Sequence, residues 1–409
     1  MSNFEAFYGL PNEVKFCKKC VISNQRPSST IEFKSQLKDK KKVIDFDNEG
    51  VCSACRYHEQ KELDIDWKER EETLWKLCDK FRRGDGSYDV IIPGSGGKDS
   101  AYTSHILKYK YGMNPLTVTW APHKYTDIGW ENFTNWMHEG GLDNMLYTPN
   151  GKLHKLLTKF AFHNLLHPFQ PFIVGQRIIG PAMAAKFGVE LVMYGENQAE
   201  YGNSVDENNI PTMNHEFFSV DNPMEMRLGG VTVKEIIDKY NYKIDDFTPY
   251  IPPKSSLLKE KGVEVHYLGY YLKWDPQECY YYAVENTGFK ANTERTQGSY
   301  SKYSSIDDKI DPFHYLTTLI KFGIGRATYD AAQEVRNDKI DRKEGILLAE
   351  KFDQEFPNKF YKEFLEYIDT TEEEFWDVVN RYRSPHLWGK DMNGEWKLRH
   401  TVGKTGLND

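Results

Sequence analysis

Three features of the chain predict an α/β fold, a parallel sheet with helices on both faces. Short apolar runs alternate with helical patterns from Tyr88 to Tyr194. The first run, Tyr88 to Pro93, passes through a Gly-rich turn directly into a helical pattern. A further apolar run, Val265-His266-Tyr267-Leu268, recurs downstream. Strand alternating with helix implies parallel strands covered on both faces by crossover helices. To this sheet the sequence adds a cysteine-bearing N-terminal head and a helical C-terminal part.

The elements follow in order. Trp67, Leu74, Leu77 and Phe81 stand near helical spacing, and Gly84-Asp85-Gly86-Ser87 ends that helix. After the strand at 88–93, a helix is expected from Lys98 to Tyr111, stopped by Gly112-Met113-Asn114-Pro115. Leu116 to Trp120 reads as a second buried strand, 127–140 as a helix and Met145-Leu146-Tyr147 as a third strand. Pro171 to Phe187 reads as a helix and Glu190 to Tyr194 as another strand. Polar loops dominate 196–230, Val233 to Tyr240 is a short helix, and 312–382 is mostly helical. The expected units are a cysteine-bearing head at 1–66, an α/β domain at 67–205 and a mainly helical substrate or partner region at 206–409.

Composition narrows the function classes. Hydrophobic residues at 39% and charged residues at 28% suit a globular chain with a real core. A formal net charge of -8 makes nucleic acid an unlikely partner, because that binding rests on Lys and Arg neutralising phosphates. No run of about 18 apolar residues offers a membrane span. Met1 to Phe16 lacks an apolar signal core, so a cytoplasmic location is expected. In that reducing setting six cysteines argue for metal ligation or catalysis rather than disulfides. The lysine-rich run Lys38 to Lys42 reads as a solvated loop or hairpin edge.

Pro93-Gly94-Ser95-Gly96-Gly97-Lys98-Asp99-Ser100 sits between strand and helix. Glycines admit the backbone to phosphate oxygens without a Cβ in the way. The helix start adds unpaired N–H groups and a positive dipole end. Ser95 and Ser100 offer hydroxyls and Lys98 a charge, while Asp99 would cap the helix or reach the magnesium ion that accompanies ATP. The spacing is not that of a Walker loop. Thr119 and Trp120 end the second strand, at the carboxyl edge where an adenine would rest on the backbone; a core role is the alternative for the Trp120 side chain. Gly195-Glu196-Asn197 follows a later strand at the same edge. Glu196 is the candidate base or metal ligand and Asn197 a nucleotide or amide contact, against the plainer reading of a turn.

Cys17-Lys-Lys-Cys20 and Cys52-Ser-Ala-Cys55 form two C-x-x-C pairs, the pattern of a closed tetrahedral zinc site. Cys78 and Cys279 read as core or surface thiols, and neither stands at the carboxyl end of a predicted strand. Substrate contacts are expected from Gln176, Tyr201, Tyr303, Asp307, Asp308 and Arg326. Asp307 and Asp308 suit a helix N-terminus equally well, and His123 reads as structural. Lys321 and Arg326 would contact phosphate or a carboxylate, with a surface salt bridge as the plainer alternative.

The Ser95–Ser100 run resembles the PP-loop of ATP pyrophosphatases, SGGxDS, whose adenine nucleotide alpha hydrolase-like fold fits the predicted sheet. Over nearly the whole chain the sequence resembles one PP-loop family, the N-acetyl sugar amidotransferases of bacterial surface-polysaccharide and nonulosonic-acid pathways. The likeness rests on CKKCVISNQRP at 17–27, GVCSAC at 50–55, DVIIPGSGGKDS at 89–100, TWAPHKYT at 119–126, PFQPFIVGQ at 168–176, YGENQAEYG at 194–202 and YSSIDD at 303–308. It departs at Gly94, where a small apolar residue is more usual, and in the 28–49 insertion between the cysteine pairs. The resemblance implies conversion of an acetamido group to an acetamidino group through an ATP-adenylated amide oxygen, with ammonia as nucleophile and AMP and pyrophosphate released. It also implies a separate glutaminase subunit with a cyclase-like ammonia conduit, since no glutaminase set is recognisable here. The rival is a PP-loop thiolase or tRNA-modifying enzyme, which shares the adenylation step.

Overall fold

The computed structural model describes residues 4–36, 39–203 and 209–405; Lys38, at the start of the lysine run, lies outside them. Five strands form one parallel sheet: β1 Val90–Pro93, β2 Pro115–Trp120, β3 Asp143–Tyr147, β4 Leu191–Tyr194 and β5 Glu264–Tyr267. Their spatial order runs β3, β2, β1, β4, β5. From β1 the chain builds outward to β3, then returns past β1 to build the other half. The order therefore reverses between β1 and β4.

β1, β2 and β4 are largely apolar and buried because both faces are covered, whereas the edge strand β3 is largely exposed. Ile91, Val118, Trp120 and Val192 enter the core that holds the helix Gln170–Phe187. Val90, Ile92, Leu191 and Met193 enter the opposite core, with Leu74, Leu107 and Cys279. The helices that bear on the site are α1 Ser53–Leu63, α2 Trp67–Phe81, α3 Lys98–Tyr109, α4 Asp127–His138, α5 Gly151–Leu165, α6 Gln170–Phe187, α7 Pro276–Thr287, α8 Asp311–Phe322, α9 Arg326–Arg336 and α10 Arg342–Phe352. The sequence reading passed over α5. Asn150 caps it by accepting from the amides of Lys152 and Leu153, and it buries Leu153, Leu157, Ala161, Phe162 and Leu165.

The expected boundaries do not divide the molecule into independent units. β5 pairs with β4, so the sheet includes residues well past 205. The cysteine head shares one core with Ile324, Ala331, Ala332, Ile346 and Ala349. A short knuckle buries too little apolar surface by itself, and α9 and α10 supply the rest.

Gly175 of α6 lies against the Trp120 ring of β2, and a Cβ there would overlap the indole. Gly175→Ala should cost ~1–3 kcal/mol of stability by overpacking. Thermal unfolding should show a lowered Tm; an unchanged Tm would contradict so close a helix–strand approach.

Candidate active site

The Gly-rich loop leaves β1 at the point where strand order reverses, the place where open α/β sheets bind ligands. Gly96 has φ +83, and a Cβ there would meet the backbone of Asn132 and Phe133. The loop is thus held open by a residue that only glycine satisfies. Gly97 precedes α3 without a side-chain cap, so the first-turn N–H groups stay free for an anion. Ser100 Oγ donates to Gly97 O at 3.0 Å, which stiffens the turn. Lys98 Nζ donates to both oxygens of Asp99 at 2.7 Å. Burial works against the Lys98 ammonium, but the charge of Asp99 holds its pKa above the ordinary lysine range.

The segment after β4 faces this loop. Gly94, Ser95, Gly97, Asp99, Ser100, Gln176, Gly195, Glu196 and Tyr201 line one cavity of about 380 Å³. Burial, and then the charge of Asp99, pushes the Glu196 carboxyl above the usual carboxylate range. The Tyr201 hydroxyl stands beside it. A second cavity of about 430 Å³ opens from Lys98, Asp99, Glu196 and Tyr201 toward α9, where Arg326, Asp330 and Arg336 line it with Tyr303. A third, of about 310 Å³, runs from Ser95–Asp99 to Asp307, Asp311 and Arg326. Arg326 pairs with Asp330 at 3.0 Å. Burial pushes the Asp311 carboxyl up to about 7. Asp99 borders all three cavities, so a phosphate chain and a polar second substrate can meet at it.

The structure thus gathers Ser95, Gly96, Gly97, Lys98, Asp99, Ser100, Gln176, Gly195, Glu196, Tyr201, Tyr303, Asp307 and Arg326 around one point. Four expected residues stand apart. Trp120 is turned into the core against Tyr147 and Tyr250, so its ring is not on the cleft. Thr119 Oγ1 accepts from Asn144 within the sheet. Asn197 is buried and its Oδ1 accepts from the Ala199 amide, the turn role weighed above. Asp308 is buried and accepts from the His123 amide at 2.7 Å and the Ile310 amide at 2.9 Å. His123 Nδ1 lies 2.8 Å from the same carboxylate. Strand pairing of Tyr125 with Asp308 fixes both, so Asp308 ties the 303–311 segment to β2.

Cys279 is the core thiol that the sequence reading allowed. It lies on α7, which packs along α3, within electrostatic reach of Asp99 and Lys98. It is 2% exposed, and burial pushes its thiol well above the usual range. Arg26 and Arg177, the latter beside Gln176, also line the loop cavity.

The four head cysteines are buried, and their sulfurs all lie within 4.8 Å of one another. Cys17 and Cys55 are 3.8 Å apart, Cys20 and Cys52 3.7 Å. Ligands at about 2.3 Å around a tetrahedral ion stand about 3.8 Å apart, so the set fits a zinc-type ion. The amides of Lys19, Cys20 and Cys52 donate to Cys17 Sγ, as thiolate ligands require. The 28–49 insertion closes back through bridges at Pro27–Val43 and Phe46–Cys52, so it does not spread the two pairs.

This centre also grips the segment carrying Glu196. Ser53, between two of the cysteines, donates to Gly202 O at 3.2 Å. Arg336 reaches Cys20 Sγ at 3.9 Å and Glu200 O at 3.2 Å. Lys61, fully buried, holds the Glu200 carboxylate at 3.0 and 3.1 Å. Gly202 has φ +86 and touches Ile44, so the segment can lie flat on the head.

Comparison with known proteins places part of this framework. Residues 297–402 match the family model described as LPS biosynthesis protein WbpG-like, C-terminal domain. That span supplies Tyr303, Asp307, Arg326, Asp330 and Arg336 of the cavity walls. The uncharacterized protein MJ1599 of Methanocaldococcus jannaschii is 33% identical over 86 residues, 19% of this chain and 27% of that protein. The chain therefore spans little more than a quarter of that curated relative. Among solved structures, the NH3-dependent NAD synthetase of Campylobacter jejuni is 16% identical with a TM-score of 0.25, over 35% of this chain and 59% of its own. The NMN synthetase of Francisella tularensis is 14% identical with a TM-score of 0.27, over 68% and 94%. The U34-tRNA thiolase NcsA of Methanococcus maripaludis, with its [4Fe-4S] cluster, is 13% identical with a TM-score of 0.30, over 82% and 88%. Scores this low carry no weight for function. Among the described residues no helix is long and apolar enough to cross a membrane.

Purified protein should carry one tetrahedral metal ion per chain, and Cys20→Ser should lower both that stoichiometry and the Tm, because the ion loses a ligand. Elemental analysis and thermal unfolding read the two effects. Full metal content in the Cys20→Ser chain would contradict four-sulfur ligation.

Proposed function

We propose that this chain is an ATP-dependent amidotransferase that converts the acetamido group of an N-acetyl sugar to an acetamidino group. One observation carries the reading: at the reversal of strand order, a phosphate-type loop with free helix N–H groups faces a half-buried carboxyl, Glu196, across a polar cavity. The match of residues 297–402 to a domain model named for lipopolysaccharide biosynthesis supports a sugar as the second substrate.

The steps balance as follows. The amide oxygen attacks the α-phosphorus of ATP, the bond to the β-phosphate breaks, and pyrophosphate leaves. Ammonia then forms a bond to the activated carbon, the carbon–oxygen bond breaks, and AMP leaves. A proton from the attacking nitrogen passes to Glu196, which its raised pKa suits to accept and hold. The free N–H groups of α3 and Lys98 hold phosphate oxygens, while Arg326 and Tyr303 orient the sugar. Asp99 would hold the magnesium ion that accompanies ATP, which supplies charge neutralisation. The four sulfurs would hold a structural zinc ion. Ammonia would come from a separate glutaminase subunit through a cyclase-like conduit, with the complex in the cytoplasm.

A thiolase reading has one observation in its favour, the position of Cys279 beside Lys98 and Asp99. Its burial and raised pKa make it a poor carrier of sulfur.

Incubation with ATP, ammonium and a panel of nucleotide-linked N-acetyl sugars should give AMP and pyrophosphate. The product should be about one mass unit lighter than its substrate, because NH replaces oxygen. ADP as main product, or a sugar about sixteen units heavier through gain of sulfur, would overturn the proposal. Glu196→Gln should cut turnover by about 10²- to 10⁴-fold without unfolding the chain. The double change Cys78→Ser plus Cys279→Ser should leave turnover largely intact.

The pH profile follows from the raised pKa of Glu196. Only the ionised carboxylate accepts a proton, so kcat should fall on the acid side at a higher pH than an ordinary glutamate would give. An acid limb at the ordinary glutamate range would remove Glu196 from the role of base.

A further inference from the structure

A chamber of about 250 Å³ lies behind the phosphate-loop cavity, between the head, α6 and α8. Lys321 of α8, 8% exposed, lines it and donates to Leu165 O at 3.0 Å; buried so, it is not the surface salt bridge of the plainer sequence reading. Lys41 and Arg177 line the same chamber, and both act electrostatically on its acid, Glu32. Among the described lining residues Glu32 is the one carboxylate, and it already faces His167 at 3.5 Å. Three cations thus stand against one acid. Arg177 Nη1 and His314 Nδ1 are buried with no hydrogen-bond partner among the described residues.

Burying unpaired charge is costly, and the chain meets the cost by yielding protons. Burial, and then the charge of Lys41, lowers Lys321 to about 7. A bound oxyanion would offset the excess positive charge and favour the protonated form of Lys321. A planar guanidinium with a free N–H is suited to a phosphate oxygen.

We propose that this chamber binds a doubly charged oxyanion, a phosphate or diphosphate group borne by the sugar substrate. Arg177 and Ser29 border both the chamber and the phosphate-loop cavity, and His314, Thr318 and Tyr329 border both the chamber and the larger cavity. The oxyanion would anchor the part of the substrate remote from the reacting amide. The assignment to the sugar rests on the amidotransferase reading; oxyanion binding itself does not.

The test is equilibrium titration of the full chain, with the phosphate loop first saturated by a non-hydrolysable ATP analogue. The probes are inorganic pyrophosphate, an N-acetyl sugar 1-phosphate and the same sugar without phosphate. Pyrophosphate and the sugar phosphate should bind and displace one another, and Lys321→Met should weaken both at least tenfold. Lys41→Met, on the half-buried rim, should weaken both in the same direction and covers the case in which Lys321→Met does not fold. Equal binding by wild type and variants would overturn the site. Pyrophosphate binding that the sugar phosphate cannot displace would overturn its assignment to the substrate. Failure of the ATP analogue to bind would count against adenylation, while the comparison of wild type with Lys321→Met would still decide the oxyanion site.

Discussion

The reversal of strand order between β1 and β4 is the constraint on which the site depends. Parallel neighbours elsewhere in the sheet send their following chain to the same side. At this one gap the chain after β1 and the chain after β4 diverge and leave a crevice. The loop at 94–97 and the turn at 195–197 are its two lips. Charge is then concentrated there because each lip brings acids and bases from elements far apart in sequence. Lys98 and Asp99 come from α3, Glu196 from the end of β4, and Arg326 and Asp330 from α9.

The lip after β4 has little regular structure, and the head compensates for that. Lys61, Ser53 and Arg336 bind it through Glu200 and Gly202. Buried ion pairs such as Lys61–Glu200 give modest net stability but a definite geometry. Arg342 completes the arrangement by donating to the carbonyls of Cys17 and Cys20. The cysteine centre, α9 and the Glu196 segment therefore form one unit, and a metal held by the four sulfurs would help set the position of Glu196.

Much of this was legible in the sequence. The loop's geometry was, because its glycines between an apolar run and a helical pattern leave few other conformations. The cysteine pairs were, because two thiols on one knuckle have few other uses. The position of Glu196 at the loop was, because it follows an apolar strand. What failed did so for lack of partners. Asp307 and Asp308 are adjacent and chemically alike, yet one lines a cavity and the other anchors His123, a difference set by strand pairing with Tyr125. Trp120 ends its strand as expected, but Gly175 on another element makes room for its ring in the core. Cys279, Arg177 and Lys321 gain their surroundings from packing between helices, which no local pattern records.

The central claim is that ATP activates an amide oxygen, and an isotope follows that oxygen directly. A substrate carrying oxygen-18 in its acetamido carbonyl should pass the label to AMP, which mass spectrometry would find about two units heavier. Unlabelled AMP, with the heavy oxygen in water or still on the sugar, would contradict the account.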